Sequence, residues 1–115
     1  MEYKIFNVLK KLVTPQPNGK KFYETVDGDT YQKDLLEAER LGLCTHKVES
    51  DAFVSGSFMQ WQITEEGKRQ YAKRVWEYEA EWKYDKHGKD LQGKSRPTVE
   101  EFTKNLFATL ALNKS

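Results

Sequence analysis

Residues 35–71 read LLEAERLGLCTHKVESDAFVSGSFMQWQITEEGKRQY, and three boundary signals divide them into helix, hairpin and helix. The first is Gly42. It follows Tyr31, Leu35, Ala38 and Leu41 at helical spacing, where a left-handed residue ends a helix, and Asp29 with Gln32 three residues later makes a capping box at the other end. That predicts a helix from about 30 to 41. The second signal is Ser55-Gly56, a two-residue turn between two strand-like runs. Strand periodicity then puts Val48, Ala52, Met59, Trp61 and Ile63 on one face, and Glu49, Asp51, Phe53, Phe58, Gln60 and Gln62 on the other. The third is Thr64, an N-cap followed by Glu65 and Glu66, acids that a helix dipole favours in the first turn. The helix it opens runs for about 21 residues at about 1.5 Å each, on the order of 30 Å, longer than the preceding core requires. Its stripe of Tyr71, Val75, Tyr78 and Trp82 reads as core or helix-pair packing.

Upstream, EYKIFNVLKKLV repeats Ile5, Val8, Leu9 and Leu12 at helical spacing and predicts a helix ending near Thr14. TPQPNGKK then breaks the chain, and FYETV (22–26) fits either a short strand or one helical turn. Downstream, TVEEFTKNLFATLAL opens on a Thr98/Glu101 capping box and aligns Val99, Phe102, Leu106 and Leu110. This amphipathic helix is a candidate partner for the long helix's overhang. The organisation expected is one domain over 1–85, a flexible basic linker over 86–97, and a C-terminal helix over 98–115 that packs on the domain or on a partner.

Nineteen basic against eighteen acidic side chains leave a net charge of +1, so no global field draws the chain to nucleic acid or to an anionic lipid surface. Any such binding requires a local patch. The single cysteine, Cys44, excludes an intramolecular disulfide, and neither a signal peptide nor a long apolar run is visible, which points to the cytoplasm without a membrane partner. Aromatic residues make up 13%, enough for an ordered core or for an aromatic contact surface as well.

Residues 88–95, GKDLQGKS, fit the G-x-x-x-x-G-K-[ST] pattern of a phosphate-cradling loop. That loop works between a buried strand and a helix N-terminus. Here the preceding WEYEAEWKYDKH is charged and helical in period, and Arg96-Pro97 follows, so no nucleotide or other cofactor is expected. His46 and His87 have no cysteine or carboxylate at metal-ligand spacing. Cys44 and His46 share a strand face, which suits a small buried cysteine better than a nucleophile. Glu77, Glu79 and Glu81 read as surface charge, and no enzyme is expected.

The succession of a helix, a helix ending LLEAERLGL, a two-stranded hairpin and ITEEGKRQY resembles the winged-helix superfamily of small bacterial and phage type, over residues 2–85 and most closely over 35–71. The resemblance implies an α+β winged-helix-like domain with a long helix and a C-terminal amphipathic helix. The chain departs from the family pattern between residues 14 and 29, where a full middle helix belongs. Members bind DNA as dimers through their terminal helices, or bind only proteins. At the positions equivalent to the exposed recognition-helix face stand Asp29, Lys33, Asp34 and Glu37, three acids against one base, unsuited to a phosphate backbone. The wing tip, DAFVSGSF, has no base and carries Phe53, Val54 and Phe58, a candidate protein interface unless the C-terminal helix covers it. The first expectation is therefore a non-catalytic protein-interaction module, an adaptor or inhibitor of the kind phages and mobile elements encode. The alternative is a dimeric DNA-binding transcriptional regulator, using Lys20, Lys21, Lys68, Arg69, Lys73 and Arg74, although those of the long helix also suit a solvated face. A homodimer through Trp82, Phe102, Leu106 and Leu110 is compatible with both.

Overall fold

The computed structural model describes residues 1–17, 20–50 and 56–113, with side chains through Ala111. Among them the elements are α1 (Tyr3–Val13), β1 (Tyr23–Thr25), α2 (Gln32–Arg40), β2 (Cys44–Ser50), β3 (Ser57–Ile63), α3 (Glu65–Trp82) and α4 (Val99–Asn113). The strands form one antiparallel sheet in the order β1-β3-β2, so the architecture is mixed α+β. Its core joins Ile5, Val8, Leu9, Leu12 and Val13 of α1 to Leu35 and Ala38 of α2, Trp61 of β3 and Tyr71 of α3.

Within the segment 22–26 the chain forms a strand, Tyr23–Thr25. Tyr23 pairs with Trp61 and Thr25 with Met59, while the buried Trp61 indole N–H donates to Thr25 Oγ1 at 2.8 Å. A buried indole needs such an acceptor, and the Thr25 hydroxyl, placed by the extended backbone of β1, supplies it. No α-helix lies among the described residues of 14–29.

α2 ends as its sequence predicts and begins differently. Gly42, at φ 80°, donates to Glu39 O, and Leu43 N donates back to Ala38 O, the paired bonds of a Schellman motif. The chain reverses there, so Leu41 points to solvent at 49% exposure and Leu43 is buried instead. At the other end the capping box does not form: Asp29 Oδ1 accepts from Tyr31 N at 2.9 Å, and buried Gln32 Oε1 has no partner.

The hairpin pairs Cys44 with Ile63 and continues to Ser50 opposite Ser57. A two-residue turn at Ser55-Gly56 would set residue 54 opposite Ser57, so the expected register is displaced by four residues. Because that number is even, each described side chain keeps its predicted face. Asp51, Ala52, Phe53, Val54 and Ser55 lie outside the described residues.

The α2 corner and the start of α3 are bound together by one hydroxyl. Thr64 Oγ1 accepts from Gly67 N at 3.0 Å, capping the helix, and donates to Gly42 O at 2.8 Å, while Thr64 N donates to Leu43 O. Gly67 lies against the same carbonyl: a Cβ there would stand 2.0 Å from Leu43 O. Only a glycine permits that approach.

Residues 85–97 are hydrogen-bonded turns rather than a flexible linker. Two five-residue units, DKHGK (85–89) and DLQGK (90–94), repeat one geometry. In each, the aspartate Oδ1 accepts from backbone N–H groups two and four residues ahead, and a positive-φ glycine, Gly88 or Gly93, donates to the aspartate carbonyl. Arg96 fastens the segment to α3. Its guanidinium lies 3.4 Å from the Trp76 ring centroid and donates to Trp76 O, while Trp76 Nε1 donates to Pro97 O. α4 therefore starts level with Trp76 and runs back antiparallel to α3, bringing Phe107 under Lys68.

Candidate interaction surface

The six predicted basic contacts do not form one patch. Lys20 pairs with Glu24 at 3.0 Å, Lys68 with Glu65 at 3.2 Å, and Arg69 with Glu66. Arg69 and Lys73 line the groove between α3 and α4 with Glu66 and Glu100, whereas Arg74 faces the groove between α1 and α3. Lys21 is exposed. On α2, Arg40 is bound by Glu37, whose carboxyl is held below its usual range by that hydrogen bond. Lys20, Lys68 and Arg69 are thus paired where they stand, while Lys21, Lys73 and Arg74 make no ion pair among the described residues.

Of the predicted wing-tip contacts, Phe53 and Val54 lie outside the described residues, and Phe58 is half-buried on β3 opposite Glu49. Cys44 is 1% exposed and donates to Leu35 O at 3.5 Å, and burial pushes its thiol up to about 12. It remains a protonated core side chain at neutral pH. His46 lies against Trp61, the rings tilted by 36° with centroids 4.7 Å apart, and holds Glu39 Oε2 at 2.7 Å through Nδ1. Sequence spacing misses Glu39, seven residues earlier on another element. No group of three or more metal-ligating side chains occurs among the described residues. At 88–95, the N–H groups of Gln92 and Lys94 are held by Asp90 Oδ1, and Lys89 N by Asp85, so a phosphate would have to displace built-in carboxylates. Among the described residues no helix is long and apolar enough to cross a membrane.

The exposed large hydrophobics include three aromatics, Tyr3, Tyr78 and Trp82, among aliphatic side chains such as Val26, Val48 and Leu91. The α3 stripe, expected as core or helix-pair packing with Trp82 also a candidate dimer contact, divides: Tyr71 is buried and stacks on Phe6 with centroids 5.1 Å apart, and Val75 packs against the core, but Tyr78 is 55% and Trp82 63% exposed. The path of α4 explains the division. It packs on the Lys68 and Trp76 side of α3 and leaves Tyr78 and Trp82 exposed, Trp82 beside a groove that it lines with Tyr84, Asp85 and Leu91 of the following turns. Leu106 and Leu110, expected at a dimer contact, pack against the protein's own core, and Phe102 is half-buried. Tyr3 on α1, 80% exposed and absent from the sequence-based expectations, extends the open surface. Met1, Tyr3, Phe6, Val75 and Tyr78 line a groove of about 620 Å³ walled by Lys10 and Arg74, and Tyr78 meets Trp82 edge-on at 6.3 Å. The result is a continuous aromatic strip along the outer side of α1 and α3.

Comparison with protein-family models, with curated proteins and with solved structures returned no match.

Proposed function

We propose that this chain is a non-catalytic protein-interaction module of winged-helix type, acting in the cytoplasm as an adaptor or inhibitor, and that the strip of Tyr3, Tyr78 and Trp82 is its contact surface. The exposure of those three aromatics side by side carries the reading. Aromatic anchors surrounded by polar side chains are what protein interfaces concentrate. The winged-helix part is supported by the sheet order β1-β3-β2, by the helix directly before the hairpin, and by the Gly42–Thr64–Gly67 junction. Placing the contact on α1 and α3 moves it away from the wing tip.

DNA-binding regulation is the second reading, favoured by that topology and by Lys73 and Arg74, which make no ion pair among the described residues. Two experiments decide between them. With random duplex DNA at low salt, the interaction module gives no steep salt-dependent binding. In a cross-linking capture, the Tyr78→Ser/Trp82→Ser variant loses the partners held by the wild type while its circular dichroism is unchanged. Salt-sensitive duplex binding, or capture indifferent to the double change, would contradict the proposal.

A further inference from the structure

The strip carries charges arranged to fit itself, and we propose that its occupant is a second copy of this chain, docked with the two α3 helices antiparallel about a two-fold axis near Tyr78. This rests on the interaction reading above and names its partner. Along α3 the sign of charge changes: Lys73 and Arg74 precede Tyr78, and Glu77 and Glu81 flank the turn leading to Trp82. None of these four makes an ion pair among the described residues, and neither does Lys10 across the groove; Lys4 is held by Glu2, and Glu79 by Lys83. Arg74 and Glu81 are seven residues apart, so they lie on the same side of the helix, beside Val75, Tyr78 and Trp82.

An antiparallel two-fold contact places Arg74 against the partner's Glu81 and, by symmetry, Glu81 against the partner's Arg74. A parallel contact would set Arg74 against the partner's Arg74. The same arrangement carries the Trp82 end of one α3, with its acids, toward the groove of Met1, Tyr3 and Phe6 walled by Lys10 and Arg74. Hydrophobic contact and charge therefore select one orientation. The area is adequate as well. With fully buried aromatics contributing about 150–250 Å² each, Tyr3, Tyr78 and Trp82 leave roughly 400 Å² of aromatic surface open. Met1, Phe6, Val75 and the charged stems extend this toward the ~800 Å² per partner of a standard interface.

Sedimentation equilibrium of the full chain, from sub-micromolar to about 100 μM, tests the proposal. The expected species is a dimer, twice 13.5 kDa. Arg74→Glu alone and Glu81→Arg alone each raise the dissociation constant about tenfold or more, and the two together restore it to within about threefold. A wild-type chain monomeric throughout overturns the second-copy proposal, while the capture experiment separately decides whether the strip binds another protein. A dimer whose affinity ignores the single changes, or which the double change does not rescue, overturns the antiparallel arrangement. A dimer that Tyr78→Ser/Trp82→Ser leaves intact removes the strip from the contact altogether.

Discussion

Gly67 occupies the first turn of α3, where helix propensity alone would favour alanine by about 1 kcal/mol. Contact reverses that preference, since the Cβ would stand 2.0 Å from a backbone oxygen that is itself held by Thr64 N. Gly67→Ala is predicted to lower the stability by about 2 kcal/mol net, the overpacking cost exceeding the propensity gain, as a reduced urea midpoint. From the sequence, Thr64 was legible because a cap acts on its own helix. The need for Gly67 was not, because the atom it touches belongs to another element. Cys44 gives a second prediction at this scale. Its folded thiol ionises near 12 against an ordinary 9.0, so the folded state keeps a proton that the unfolded state releases. The stability from this thiol is complete below about pH 9 and declines toward pH 12, by at most about 1.4 kcal/mol per pH unit. Wild type minus Cys44→Ala isolates it. The gap between their urea midpoints should narrow across that range, while Tyr23 and Tyr71, also raised by burial, act equally in both chains.

At the scale of elements, local signals performed well and long-range ones poorly. The period of α1, the glycine corner after α2 and the cap of α3 are written in neighbouring residues, and all three stand. The hairpin register is not local: the alternation fixed which side chains share a face, but a turn at Ser55-Gly56 implies a pairing register four residues from the one observed. The repeat of DxxGK in 85–94 passed for flexible linker because only its hydrogen bonds reveal the two turns. The candidate surface was legible in its composition, Tyr78 and Trp82 on one stripe, but not in its exposure. That depends on α4 turning back at Trp76. The Arg96 clip fixes where α4 begins, so Arg96→Ala is predicted to cost about 1–2 kcal/mol through loss of the stacked guanidinium and its bond to Trp76 O. Limited tryptic cleavage at Lys89 and Lys94 should accelerate in the same variant; unchanged cleavage would mean that the aspartate turns alone order the segment.

Across the whole molecule, the ion pairs among the described residues are short-range and include three on α2 and the first turns of α3, Arg40 with Glu37, Lys68 with Glu65 and Arg69 with Glu66. Beside the aromatic strip stand charges of both signs that make no ion pair among the described residues, Lys73 and Arg74 toward one end and Glu77 and Glu81 toward the other. This distribution separates a surface that would grip a uniformly charged polymer from one that recognises a surface of mixed sign. Hydroxyl-radical footprinting of the wild-type chain at low and high protein concentration tests this most directly, because it reports on each side chain where it stands. The account predicts that Tyr3, Phe6, Tyr78 and Trp82 become protected together as concentration rises, with Leu36 and Leu41 on the α2 side unchanged. Oxidation of the strip that stays constant while the α2 side becomes protected would contradict it.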